Sequence, residues 1–419
     1  MQTVLQGAPW LSAMARIFDE NGGQLYVVGG GVRNPLMNLP LSDVDVCGPL
    51  KREEVCAICE GTGVHAHLRA AHFGTVELHY ADEDGRHMAE YTTWREDSYR
   101  CGHKPEAVKF TRDIRVDARR RDFSVNALYR RVHDGWVEDV IDPTGGLEHM
   151  AQGILHTVTD DPDQVLKDDG LRILRAARFQ AEMDLAPTDA LMASLRRYAP
   201  LLLDIAPERL RDELHKTLMA DLRYPMLKRR FQATYSGLCT IRSIGAWQAL
   251  FGDLAWDEAA AQALVSFPGT LPQRMALLLR GASPEQAREC MLHMRFSVKD
   301  AACTARCIQA MQSLDASPAA HARLGLDALE TAHAAFAALG DAQNAALAAQ
   351  AMAALEGKPL SLRELAVNGE DLKPLFQREG IPLREMGRTL DGLWTAVLEG
   401  NLPNEKEALL ERAAEMNQR

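Results

Sequence analysis

Two aspartates one residue apart, Asp43 and Asp45, follow a run of three glycines, Gly29-Gly30-Gly31, that ends in Val32 and Arg33. Carboxylates at i and i+2 of a strand point to the same face. Two co-facing carboxylates repel each other unless a cation lies between them. Hard oxygen donors select Mg²⁺, an ion that usually arrives with substrate phosphates. Glycines lacking Cβ atoms let backbone amides approach a bulky anion closely. A phosphate-cradling turn beside a metal-holding carboxylate pair is the equipment of nucleotidyl transfer. Either feature alone is common as a plain turn or a solvated acidic pair.

Three further blocks carry charge at meaningful spacing. In Arg120-Arg121-Asp122-Phe123-Ser124-Val125-Asn126-Ala127, an arginine pair suited to phosphate oxygens precedes an Asp122/Asn126 pair. If the block is helical, Asp122 and Asn126 share a face at i,i+4 and can reach ribose hydroxyls or orient the arginines. Asp139 to Gly146 reads as a turn closing the preceding segment. In Asp168-Asp169-Gly170-Leu171-Arg172, Asp169 and Arg172 stand at i,i+3. Arg175 and Arg178 then continue the three-residue step as an oblique basic ridge. The bland alternatives are an exposed charged helix start and an amphipathic helix with one ion pair.

The elements that must hold these residues change character along the chain. Tyr26-Val27-Val28 and residues 42–46 read as strands, and 75–80 with 88–94 as a hairpin turning at 82–85. Beyond about residue 150 strand signals nearly vanish. Helical periodicity runs through 165–179, 207–218, 258–265 and 272–279. Residues 315–357 are alanine-rich and expected to form packed helices with small interfaces. Breaks fall at Asn368-Gly369 and at Gly400-Asn401-Leu402-Pro403. The expected fold class is α+β: a head with a mixed sheet and helices (1–147), then an all-α neck (148–220), body (221–357) and tail (358–419).

With 419 residues, 47% apolar and 25% charged, the chain has ample core for several domains. No apolar run reaches membrane-spanning length. The N-terminal residues 1–18 lack a basic leader region and read as an amphipathic helix, so a cytoplasmic protein is expected. Cys56 and Cys59, among eight cysteines, form a single C-x-x-C with no second pair, which fits a helix face better than a zinc site. The net charge of −11 does not exclude RNA, because basic residues cluster locally around 112–131, 172–178 and 228–230.

The four blocks, in order, resemble the class II tRNA nucleotidyltransferase family, the bacterial CCA-adding enzymes and their poly(A) polymerase relatives. The matching patterns are G-G-x-V-R, D-x-D, R-R-D-F-x-x-N-A and D-x-x-G-G, then an E-D-x-x-R-like element followed by L-R-A-x-R-F. The resemblance covers residues 26–180 and continues in the tail at 367–372 and 402–406. It implies that Asp43 and Asp45 hold two Mg²⁺ ions, with Glu90 a third carboxylate. Gly30, Arg33 and Arg121 would meet the incoming triphosphate, with Asp122 and Asn126 near the sugar. Asp169 and Arg172 would read the base, supported by Arg175 and Arg178. The implied partners are CTP, ATP and a tRNA contacted at its acceptor stem and elbow, with no membrane. Departures are Asn34 and Asp168, where the family usually has Asp and Glu, and Gly170, where it usually has Pro. The implied reaction is CCA addition. The alternatives are a poly(A) polymerase, a CC-only or A-only enzyme, or a catalytically idle RNA-binding protein on the same scaffold.

Overall fold

The computed structural model describes residues 8–41, 44–68, 74–99, 106–224 and 233–416, with the backbone of a short strand at Gln2–Thr3. The chain forms two compact units, Met1–Gly252 and Asp253–Arg419. The division falls inside the 221–357 segment delineated from sequence.

The first unit is built on an eight-stranded sheet. Its strands are β1 (Gln2–Thr3), β2 (Leu25–Val28), β3 (Asp45–Gly48), β4 (Val64–Leu68), β5 (Thr75–Asp82) and β6 (Gly85–Thr93), followed after a separate hairpin by β9 (Tyr129–His133) and β10 (Trp136–Val137). The order across the sheet is β1-β10-β9-β2-β3-β6-β5-β4. Only β3 and β6 run parallel; the other neighbours are antiparallel. All four residues of β2 are buried, which explains its uninterrupted apolar run at the sheet centre. Helix α1 (Leu11–Glu20) covers one face with Leu11, Met14, Ala15 and Phe18, spaced as one helical stripe. The β5–β6 hairpin turns where expected, with the Asp82 carboxylate accepting from the amides of Asp84 and Gly85. The separate hairpin, β7 (Arg95–Ser98) with β8 (Ala107–Phe110), follows β6 directly.

Short helices complete the head: α2 (Gly30–Leu36), α3 (Arg52–Cys59), α4 (Ile114–Arg119) and α5 (Gly146–Ala151). The Asp142 carboxylate accepts from the amides of Thr144, Gly146 and Leu147. A Cβ on Gly146 would lie 2.4 Å from the Ser124 carbonyl. The D-x-x-G-G block is therefore a helix-capping device pressed against the neighbouring motif. Cys56 and Cys59 both lie on α3, as expected of a helix face, and burial pushes the Cys59 thiol up to about 11.

The helical part of this unit runs through α6 (Pro162–Asp168), α7 (Arg172–Met183), α8 (Asp189–Tyr198), α9 (Pro207–Leu218), α10 (Ala220–Arg223), α11 (Ala233–Ser243) and α12 (Ala246–Phe251). Helix α7 is its axis and is buried along nearly its whole length. Gly237 on α11 lets that helix press onto α7, since a Cβ there would come within 2.9 Å of the Ala177 carbonyl and of Ala181.

Two local expectations are corrected. The helix expected over 165–179 is broken at Asp169, which adopts an extended conformation (φ −148°, ψ 109°). Its carboxylate accepts from the Leu171 amide, so the side chain competes with helical bonding. Asp122 and Asn126 do not lie on an α-helix either. Helix α4 ends at Arg119, and only a 3₁₀ turn forms at Ser124–Asn126. There the backbone pairs with a distant segment, Ser124 donating to the His156 carbonyl and Val158 to that of Asp122. Long-range pairing overrides local helix propensity.

The second unit is helical: α13 (Glu258–Ala263), α14 (Leu271–Leu278), α15 (Pro284–His293), α16 (Val298–Gln312), α17 (Pro318–Leu324), α18 (Leu326–Ala338), α19 (Ala342–Ala353), α20 (Gly369–Arg378), α21 (Met386–Leu398) and α22 (Lys406–Met416). The alanine-rich stretch supplies α17 to α19, whose small residues Ala328, Ala332, Ala335, Ala345 and Ala348 are buried. Asn368 caps α20 reciprocally with Asp371. Lys406 reaches the Asp371 carboxylate at 2.6 Å, and Asn404 exchanges hydrogen bonds with the backbone of Glu364 and Ala366. The two tail motifs are thus clasped together. Among the described residues, no helix is long and apolar enough to cross a membrane.

Candidate active site

The glycine turn leaves the sheet from the end of β2. Gly29 has φ +63°, a conformation favouring glycine. A Cβ on Gly31 would lie 2.4 Å from Val27 Cγ1, so α2 can fold back over β2 only with glycine here. Gly31→Ala is therefore expected to destabilise the head by several degrees in Tm and to lower activity, as checked by calorimetry and a turnover assay. Gly30 opens α2, and a Cβ on it would lie 3.7 Å from Arg33 Nη2.

Asp45 is the first residue of β3, beside Glu90 in the parallel register with β6. Glu90 in turn pairs with Glu77 on β5. Burial, then the nearby Asp45 and Glu77 charges, raises the Glu90 carboxyl above its ordinary value. A hard cation would relieve this crowding of oxygen anions. Asp43 lies outside the described residues. Among those described, no three metal-ligating side chains form a cluster by themselves.

Asp45 lines two recesses, one of about 310 Å³ that also contains Glu90, and a larger cleft of about 650 Å³. Arg95, Arg120 and Arg121 line both. The larger cleft also takes in Gly30, Arg33, Asp122, Asn126, Asp169, Arg172, Arg175 and Arg178. Every residue for which the resemblance implied nucleotide contact thus lines one cavity.

A buried polar chain crosses its floor. The Asn34 amide donates to the Pro40 carbonyl, and its oxygen accepts from Nε and Nη2 of Arg33. Arg33 Nη1 donates to the Asn126 oxygen, and the Asn126 amide donates to Asp122 at 3.0 Å. Asp122 then accepts from Arg175 at 2.7 and 2.5 Å. Burial alone would raise the Asp122 carboxyl, but Arg175, Asn126 and Arg172 hold it far below the usual range. Arg33 is fully buried against neutral amides, and loss of hydration pushes its guanidinium down to about 10. Asn34, where a carboxylate was expected, keeps the acceptor for Arg33 and adds a donor for Pro40.

Arg121 is gripped by Asp117, which lies at 3.0 Å and also receives Arg120 at 2.7 Å and the Tyr129 hydroxyl at 2.8 Å. On α7, Arg178 bonds Glu213 at 2.5 Å and Glu182 at 3.0 Å. Arg172 donates to the carbonyls of Val165 and Arg120. Asp169 is not its ion-pair partner: Asp169 pairs with Arg209 of α9 at 2.7 Å. The two residues expected as helix neighbours therefore sit on the cleft wall as an independent acceptor and donor.

Three segments match known families: residues 25–156 match the Poly A polymerase head domain, 184–229 the RNA and SrmB-binding site of polymerase A, and 273–413 tRNA nucleotidyltransferase domain 2. The CCA-adding enzyme of Geobacillus thermodenitrificans is 28% identical over 94% of this chain and 93% of its own length. The structure of the Bacillus stearothermophilus CCA-adding enzyme in complex with CTP superposes with a TM-score of 0.76 at 26% identity, covering 98% of both chains. The chain belongs to the class II tRNA nucleotidyltransferases. The Thermotoga maritima CCA-adding enzyme complexed with tRNA_CCA shares the fold, with a TM-score of 0.65 at 18% identity over 99% of this chain and all of that one.

This nucleotidyltransferase belongs to a metal-dependent family, and its carboxylate donors suit a metal. Sequence reasoning gave no role in the site to Asp117, Arg209 and Glu213, nor to Phe179, the last residue of the L-R-A-x-R-F pattern. Asp117 had a signal, standing at i−4 from Arg121. Arg209 and Glu213 stand at i,i+4 on α9, but nothing local marks their partners on the Asp169–Arg178 segment.

Proposed function

We propose that the chain completes tRNA 3′ ends by adding C, C and A from CTP and ATP, releasing pyrophosphate, and that it works in the cytoplasm. The observation carrying this reading is the single cleft lined by Asp45, the glycine turn, the arginines and the Asp169–Arg172 wall. Asp43 and Asp45, with Glu90, are the residues suited to hold Mg²⁺. Of two such ions, one would lower the pKa of the attacking 3′-hydroxyl and the other would stabilise the leaving pyrophosphate. Gly30 and Arg33 receive the triphosphate. Arg121, oriented by Asp117, adds positive charge. Asp122 and Asn126 set the sugar side of the cleft and keep Arg33 and Arg175 in place. The head (1–147) carries transfer and the neck (148–220) carries nucleotide choice. The body (221–357) and tail (358–419) hold the acceptor stem and elbow of tRNA by shape and backbone contacts.

Asp169 and Arg172 choose the base. Cytosine and adenine both present an amino donor beside a ring-nitrogen acceptor on their pairing edge; guanine and uracil present the reverse. A carboxylate only accepts and a guanidinium only donates. Each mismatched buried group costs about 1–3 kcal/mol, so two reject G and U by orders of magnitude. Incorporation of all four nucleotides into tRNA lacking its terminal CCA tests this. Wild type is expected to take C and A alone, and Asp169→Ala to slow both and admit U and G. Unchanged rate and choice in Asp169→Ala would refute the reading of the base by this wall.

A further inference from the structure

We propose that Phe179 is a positioning residue for transfer, its ring keeping Arg33 of the head in register with Arg175 and Arg178 of α7. The inference rests on the nucleotide-binding reading above and extends it to a residue to which that reading gave no role. Phe179 is 2% exposed and lies in the cleft wall. The guanidinium carbons of Arg33, Arg175 and Arg178 stand 5.4, 5.1 and 4.1 Å from its ring centroid. Three like charges gathered this closely repel one another, and an aromatic face attracts each. Planar guanidinium groups also stack on such a face.

The polar partners link the arginines only in pairs. Arg33 bonds the uncharged Asn34 and Asn126, Arg175 bonds Asp122 and ion-pairs with Glu213 at 3.6 Å, and Arg178 bonds Glu213 and Glu182. Among these partners none bonds to all three, whereas the ring touches all three. Arg33, with neutral partners, has most to gain from the ring's negative face. The ring is itself fixed by Phe123, packed edge-on at 5.6 Å and 85° and fully buried. Phe123 belongs to the same loop as Asp122 and Asn126. The two phenylalanines thus join the loop carrying Asp122 and Asn126 to helix α7 through an apolar contact that hydration does not weaken.

Leucine fills a similar volume but offers no π face. In the full chain, Phe179→Leu is expected to retain a cooperative thermal transition and raise KM for both CTP and ATP about tenfold, with KM for tRNA within about twofold. Phe179→Met, which adapts to irregular packing, should behave alike and serves if the leucine variant does not fold. Equilibrium CTP binding by Phe179→Leu, Arg33→Met and the double variant separates positioning from bulk packing. If the ring acts through Arg33, the double variant loses less than the product of the single losses. Multiplicative losses, or equal rises in KM for tRNA and nucleotide, overturn the proposal. Wild type is measured first: failure to prefer CTP and ATP over GTP and UTP would overturn the nucleotide reading itself. A selective wild type with unchanged Phe179→Leu and Phe179→Met overturns only the positioning role.

Discussion

Asp45→Asn is expected to lower kcat for CTP and ATP incorporation by about a thousandfold or more while leaving the fold intact. Asparagine matches aspartate in shape but carries no charge, so it holds a hard cation weakly. A thousandfold corresponds to about 4 kcal/mol of transition-state stabilisation, the share expected if Asp45 holds a metal at the reacting phosphate. Stability should move the other way. Asp45 is exposed at the start of β3, and its charge is one of those raising Glu90. Removing it relieves repulsion, so Tm should stay equal or rise slightly without metal. Incorporation and thermal melting of the same preparation check both halves. Near-normal turnover in Asp45→Asn would remove the metal site from β3.

Asp117→Ala has the largest expected effect on stability. Asp117 is fully buried and serves Arg120, Arg121 and the Tyr129 hydroxyl together. Removing one partner of a buried ionic group strands the others and costs about 3–5 kcal/mol. Its protonation gives a second signature. Burial would raise the carboxyl, but Arg121 and Arg120 overcome this and hold it at about 2, below the unfolded value of about 3.9. A depressed carboxyl contributes stability that is fully present above the unfolded value and lost as pH falls through the folded one. For Asp117 the window runs from about pH 4 down to about pH 2, and the contribution is about 2–3 kcal/mol. Urea unfolding of wild type and Asp117→Asn at pH 7 and pH 3 should show the gap narrowing in acid. An identical gap at both values would contradict the assigned ionisation. Activity should fall as well, because Arg120 and Arg121 lose the anchor that aims them into the cleft.

What the chain displays in one dimension is uneven. The strand at Leu25–Val28, the glycine turn and the β5–β6 hairpin were legible because each follows from neighbours in sequence: an apolar run, residues without Cβ, an Asp-Gly turn. The alanine-rich helices and the Asn368 cap were legible for the same reason. The break at Asp169 was not, since the flanking periodicity continues through it and the competing bond from Leu171 forms only in the folded chain. The Asp122–Asn126 pair was read with the right partners on the wrong element: the side chains do meet, but over a 3₁₀ turn held by the 156–158 segment. The long-range supports, Asp169 with Arg209 and Arg178 with Glu213, join residues 35 or more apart, and no local spacing announces them. Charged residues on one cleft wall were visible from their motifs; the groups that neutralise and orient them were visible only in three dimensions.

The central claim is that one cleft adds a fixed sequence, C then C then A, without a nucleic-acid template. The measurement that tests it most directly is 3′-end sequencing of tRNA lacking CCA after incubation with the full chain, Mg²⁺, CTP and ATP, supplied together and separately. The account predicts CC with CTP alone, CCA followed by arrest with both, and no addition to this tRNA with ATP alone. Long adenosine tails, arrest at CC with both nucleotides present, or adenosine added only to tRNA already ending in CC would contradict it.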